Sequence, residues 1–178
     1  FATCERASPH SRRPKTQISD RHFLQECDKP SKSTDCLGWK MTRSEDWTIR
    51  LNEFIETNRY RKFKRGHFDC ALFAGLAIES MTDTKLVHDY VGLYKNKQAA
   101  FDMLKERGLK SLIEVANKHL GAPLSNPNFA SRGDVVAVKY ENELALAVVD
   151  LTGRRAVTTG KDGLIFFERK YWLKAWGV

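Results

Sequence analysis

Hydrophobic positions along the chain fall into two regimes. Through residues 1–40 the large aliphatic and aromatic side chains are few and scattered (Phe1, Ile18, Phe23, Leu24, Leu37, Trp39), and neither a helical nor a strand period marks a buried face. From just after Met41 the pattern becomes regular. Trp47, Leu51, Phe54 and Ile55 recur at i, i+4, i+7 and i+8 and predict a helix, capped by Ser44 and ending near Asn58. The run Cys70-Ala71-Leu72-Phe73-Ala74-Gly75-Leu76-Ala77-Ile78 is apolar on nearly every side and predicts a central buried helix with Asp69 as N-cap. Two further helices are expected, from about Asn96 to Arg107 and around Leu112 to Leu120, each stopped by a glycine, Gly108 and Gly121. Residues 122–130 read as a loop. Four short strands then follow: Asp134 to Tyr140, Leu144 to Val149, Arg155 to Thr159 and Leu164 to Glu168. Helices first and strands afterwards make an α+β chain, its sheet a small antiparallel meander, curled or closed as a barrel.

Composition narrows this picture a little. A chain of 178 residues with 42% hydrophobic and 29% charged residues holds one domain with a core of its own, plus a tail. Collagen, a disulfide knot, wholesale disorder and a membrane span are excluded by the same figures. The net charge of +8 suits an approach to nucleic acid, anionic lipid or cell-wall polymer, and serves solubility equally well. Residue 1 is Phe and the first Met is Met41, so residues 1–40 read as a disordered leader or upstream translation and residues 41–178 as the domain. Within residues 1–40 no apolar run is long enough to be the central region of a signal peptide. Cys4, Cys27 and Cys36 fall in the leader without a Cys-x-x-Cys pair or zinc-finger spacing, so neither a disulfide framework nor a metal or other cofactor is expected.

Candidate chemistry centres on Gly66-His67-Phe68-Asp69-Cys70. A cysteine in the first turn of a helix faces free backbone N–H groups and the positive end of the helix dipole, both of which stabilise a thiolate. The basic side chains of Arg59-Tyr60-Arg61-Lys62-Phe63-Lys64-Arg65 would push the same way if they fold nearby. The alternative is a small apolar core thiol, and the residues alone leave both readings open. Of the histidines beyond the leader, His67 is near enough in sequence to contact Cys70. His88 falls in a loop, and His119 ends a helix whose dipole it complements. Asp134 begins a strand or makes a turn contact. The aromatic-interleaved basic run also fits a nucleic-acid surface, although a solvated loop explains it too.

The Asp69-Cys70 pair opening an apolar helix, Gly66-x-x-Asp69-Cys70-Ala71-Leu72-Phe73, Arg132-Gly133-Asp134-Val135-Val136, Asp162-Gly163-Leu164, Trp47 and the closing Ala175-Trp176 together resemble the NlpC-like papain-fold cysteine peptidases. The likeness is nearest to a phage-encoded branch of that superfamily and covers about residues 44–178. It implies a papain-like α+β domain with Cys70 as nucleophile in amide hydrolysis of cell-wall peptides, in a phage or prophage setting, hence host cytoplasm or virion. In that pattern a histidine opens the strand after the Gly-Asp strand. The matching stretch here, Glu143-Leu144-Ala145-Leu146-Ala147-Val148, has none, and no histidine follows His119.

Three functions are therefore expected to compete. The first is a cysteine hydrolase or transferase using Cys70, Asp69 and, as a local base, His67. The second is a non-catalytic relative that binds peptidoglycan peptide or assembles with phage tail proteins. The third, through residues 59–65, is nucleic-acid binding.

Overall fold

The computed structural model describes residues 41–178; the expected leader, residues 1–40 with Cys4, Cys27 and Cys36, falls outside the described residues. The domain is α+β, with four helices followed by a five-stranded antiparallel sheet. The helices are α1 (Trp47–Asn58), α2 (Cys70–Thr82), α3 (Lys97–Glu106) and α4 (Leu112–Leu120). The strands are β1 (Val135–Tyr140), β2 (Glu143–Val149), β3 (Arg155–Gly160), β4 (Gly163–Glu168) and β5 (Trp172–Trp176).

Capping explains most helix starts. The side chains of Asp69, Asn96 and Ser111 accept from the backbone N–H groups of Leu72, Ala99 and Glu114, so three helices begin at a satisfied cap. The expected cap at Ser44 is not formed. α1 begins after Asp46 without a side-chain cap bond, because the Ser44 hydroxyl donates instead to the Met81 carbonyl, at 3.0 Å, and ties the entry segment to the end of α2.

β1 to β4 form the expected meander, and its order, β4-β3-β2-β1-β5, adds a fifth strand beside β1. With β4 and β5 as its two edges, the sheet is open and not a closed barrel. Alternation divides its side chains between two faces. Val135, Ala137, Leu146, Val148, Val157 and Trp176 join α1 and α2 in one apolar cluster with Leu51, Phe73 and Ala77. Val136, Val138, Ala145, Ala147, Val149, Ala156, Trp172 and Ala175 form the second, against which Cys70, Leu124 and Phe167 pack. The loop over residues 124–130 is held to this second face. Leu124 donates to the Ala175 carbonyl at 2.8 Å, and the Arg169 guanidinium bonds the carbonyls of Asn128, Ala130 and Gly153 while stacking on Trp172. Asp134 clamps the start of β1, accepting from Arg43 at 2.7 Å and from the Ser131 and Val178 backbone N–H groups.

Among the described residues no helix is long and apolar enough to cross a membrane.

Candidate functional site

The segment before α2 is a tight turn built around one carboxylate. Gly66 has φ +73°, and a Cβ there would run into the Tyr94 carbonyl, so only glycine fits. The turn is closed by the N–H groups of His67 and Phe68 donating to the Lys64 carbonyl. Phe68 is buried beneath it, edge-on to Phe73 at 5.8 Å, with the Arg61 guanidinium 4.0 Å above its ring. Asp69 is buried and fully engaged. Its Oδ1 accepts from Leu72 N–H at 3.2 Å, and its Oδ2 accepts from Gly66 N–H at 2.8 Å and the Tyr94 hydroxyl at 2.7 Å. Tyr94 is itself buried; burial first, and then the Asp69 charge, push its pKa upward and keep it a neutral donor.

Cys70 occupies the first position of α2, as expected, and its surroundings raise the pKa of its thiol. Desolvation is the largest influence and pushes the pKa up to about 11, with the Asp69 charge adding to the rise. The backbone N–H groups of Leu146 and Ala71 and the charge of Arg65 pull the other way and are outweighed. Of the basic run, Arg65 is the residue whose charge acts on the sulfur most. The Arg59 guanidinium is committed to Glu56 at 2.6 Å, while Arg61 bonds Asn58 and stacks on Phe68.

Cys70 lines a cavity of about 760 Å³ that follows α2 from Asp69 to Ile78. α3 and α4 wall one side. The segment from Leu86 to Tyr94 walls another, anchored by Glu79, whose carboxylate accepts from the N–H groups of Leu86 and Val87. The sheet closes the rest where β2 and β3 part. Their ladder pairs only Val148 with Val157 and Val149 with Ala156, and one step further the Thr158 hydroxyl bonds the Leu146 carbonyl at 2.6 Å. Leu146 thus lies outside the paired part of the β2–β3 ladder, and its backbone acts on the Cys70 sulfur.

None of the described histidines is brought to the thiol. At the resemblance's base position the cavity meets Leu144, Ala145 and Leu146, while Glu143 turns to Lys97 at the rim, at 2.7 Å. The His67 ring lies beside Gly92 and is not part of the cavity lining. His88 is exposed next to Asp89, as expected. His119 stands in the last turn of α4, as expected. It lines the cavity, bonds the Tyr90 hydroxyl at 2.9 Å, and has its pKa lowered chiefly by burial. Tyr90 belongs to the turn whose Val87 packs on Gly75, five residues along α2 from Cys70, or roughly 7.5 Å by helix rise. Among the described residues no histidine bonds Cys70, and no group of three or more His, Cys, Asp or Glu side chains could hold a metal ion.

Tyr94 is the functional neighbour that the sequence reading missed. Only the packing of Tyr94 against Gly66 identifies it, since the two residues lie far apart in the chain and no motif joins them.

Fold and site together define an α+β domain whose central helix opens with an Asp-Cys pair, Asp69 buried and Cys70 half-buried, at one end of an apolar cavity. The chain belongs to the family described as a domain of unknown function, DUF6950, whose model matches residues 42–178. No curated protein matches the chain.

Proposed function

We infer that the domain is an NlpC-like module of papain type in which the cysteine site binds a ligand without hydrolysing it, serving as a binding or assembly component in a phage or cell-wall setting. One observation carries this reading. The half-buried Cys70 thiol lies between the Leu146 and Ala71 backbone, a carboxylate whose partners are all internal, and the cavity, and among the described residues no imidazole is bonded to it. Amide hydrolysis by a thiol needs a base to take the proton and return it to the leaving amine. Asp69 is fixed by Gly66, Leu72 and Tyr94 and is not free to orient such a base.

A second reading keeps Cys70 as the nucleophile of a hydrolase or transferase acting on amide bonds of cell-wall peptides. It is favoured by the Leu146 and Ala71 N–H groups at the sulfur, which could also steady an oxyanion. His67 would have to swing from Gly92 to act as its base.

Alkylation of the full chain with iodoacetamide, followed by mass spectrometry of the Cys70 peptide across neutral and alkaline pH, separates the two. The binding reading expects a midpoint above the ordinary thiol value of about 8.5. A midpoint well below it, together with loss of any turnover in Cys70→Ser, would establish the nucleophile instead.

A further inference from the structure

The helical side of the cavity is lined by apolar groups that nothing in the described chain fills. α3 buries Leu104 alone and α4 buries Ala116 alone, yet Ala100 and Met103 of α3 and Val115 of α4 also face the cavity. Across from them run Ile78 of α2 and Leu146 of β2. Between Asp69 and Ile78 the lining extends roughly 13 Å along α2, taking helix rise as the measure. The interior is therefore long and oily.

The rim has a different character. Lys97, Lys110, Lys161, Glu141 and Glu143 are exposed there and Arg65 is half-buried, four cations against two carboxylates. Glu143 is already paired with Lys97. Asp69, the other acidic group of the lining, is directed at Gly66, Leu72 and Tyr94. An elongated apolar interior beneath a slightly cationic rim suits an unbranched aliphatic body ending in a single negative charge. A doubly charged head would meet Glu141 and Glu143, and a cationic head would face the excess of its own sign.

We propose that this cavity binds a linear long-chain carboxylate, its chain along α2 and its head among Arg65, Lys97 and Lys161. The proposal rests on reading the Cys70 site as a binding site and names what that site takes. Dodecanoate, dodecyl phosphate and dodecyltrimethylammonium are each titrated into the full-length protein by calorimetry, and Cys70 alkylation is followed in the presence of each. Dodecanoate should bind saturably, slow the labelling of Cys70, and bind roughly tenfold more tightly than the cationic amphiphile. Ala100→Phe, which fills the cavity from α3, should abolish binding. Paired Arg65→Glu and Lys161→Glu substitutions lie at half-buried and exposed positions, so they test the rim even if Ala100→Phe fails to fold. They should weaken dodecanoate roughly tenfold and leave dodecanol unchanged.

Equal binding of the cationic amphiphile, tighter binding of dodecyl phosphate, or binding that leaves Cys70 labelling unchanged would each overturn the proposal. Slow labelling of Cys70 with no dodecanoate bound overturns the choice of ligand alone. Fast labelling at neutral pH overturns the binding-site reading beneath it.

Discussion

The two sides of α2 are built to different standards. Toward α1 and the sheet, Leu51, Phe73, Ala77, Val148 and Trp176 are each buried without remainder, and Trp176 adds a hydrogen bond from its indole N–H to Asn117 at 2.9 Å. Toward α3 and α4 the same helix faces about 760 Å³ of space. A protein interior is ordinarily close-packed, and apolar walls left apart forgo both dispersion and desolvation energy. One side of the helix is thus committed to stability and the other to shape. The Asp-Cys pair sits at the end where the two meet.

Truncation tests the contrast most strongly. Leu51→Ala should cost about 3–4 kcal/mol of unfolding free energy because it opens a new void in a filled core. Leu104→Ala should cost only about 1–2 kcal/mol, since it enlarges a space that already exists. Urea titration measures both, and equal losses would break the comparison. At the junction, Asp69→Ala removes the cap of α2 and two buried partners and should cost about 2–4 kcal/mol. Tyr94→Phe, which removes one bond of the three, should cost about 1–2 kcal/mol. Enlargement reverses the sense of the first test. Ala77→Leu in the packed face should destabilise by about 1–3 kcal/mol, whereas Ala100→Leu at the cavity should fall within about 1 kcal/mol of the parent.

The subtlest test is pH. The Cys70 thiol rises from 9.0 to about 11 on folding, so between those values unfolded chains have lost a proton that folded chains keep. Stability should therefore be intact below pH 9 and fall as pH climbs through that interval. In Cys70→Ala the decline should flatten. His119 gives the opposite slope on the acid side. Its lowered pKa means that unfolded chains bind the proton first, so its contribution is lost as pH falls below 6.5. Thermal melts in matched buffers, with His119→Asn as the control, read this out.

What the sequence revealed follows from what is local in it. α2 and its Asp69 cap were legible because cap, helix start and apolar run are consecutive. The meander was legible because turns such as Glu141-Asn142 and Lys161-Asp162 punctuate apolar runs. β5 was not, because Trp172-Leu173-Lys174-Ala175-Trp176 follows a short 3₁₀ turn over Arg169–Tyr171 instead of a hairpin signal. Which of the two readings of Cys70 applies was not legible either, for a related reason. Dipole and neighbouring cations can be read from spacing, but burial of the thiol and the approach of the Leu146 backbone depend on elements distant in sequence. The cavity is harder still, since α3, α4 and β2 are separate in sequence and only their assembly leaves a gap.

The placement of β5 has a consequence for how the polypeptide matures. β1 takes β2 as one neighbour almost at once, but its other neighbour is β5, with Val136 facing Ala175 and Val135 facing Trp176. During vectorial synthesis every other strand can emerge and pair while one flank of β1 stays bare. Trp176, among the largest fully buried side chains, arrives with that last strand. The nascent domain would therefore pass through a stage with helices and a four-stranded meander in place and an unpaired apolar strand edge exposed, the geometry that invites a second chain to pair. Completion of the sheet is thus the step at which crowding or a chaperone would have most influence on yield.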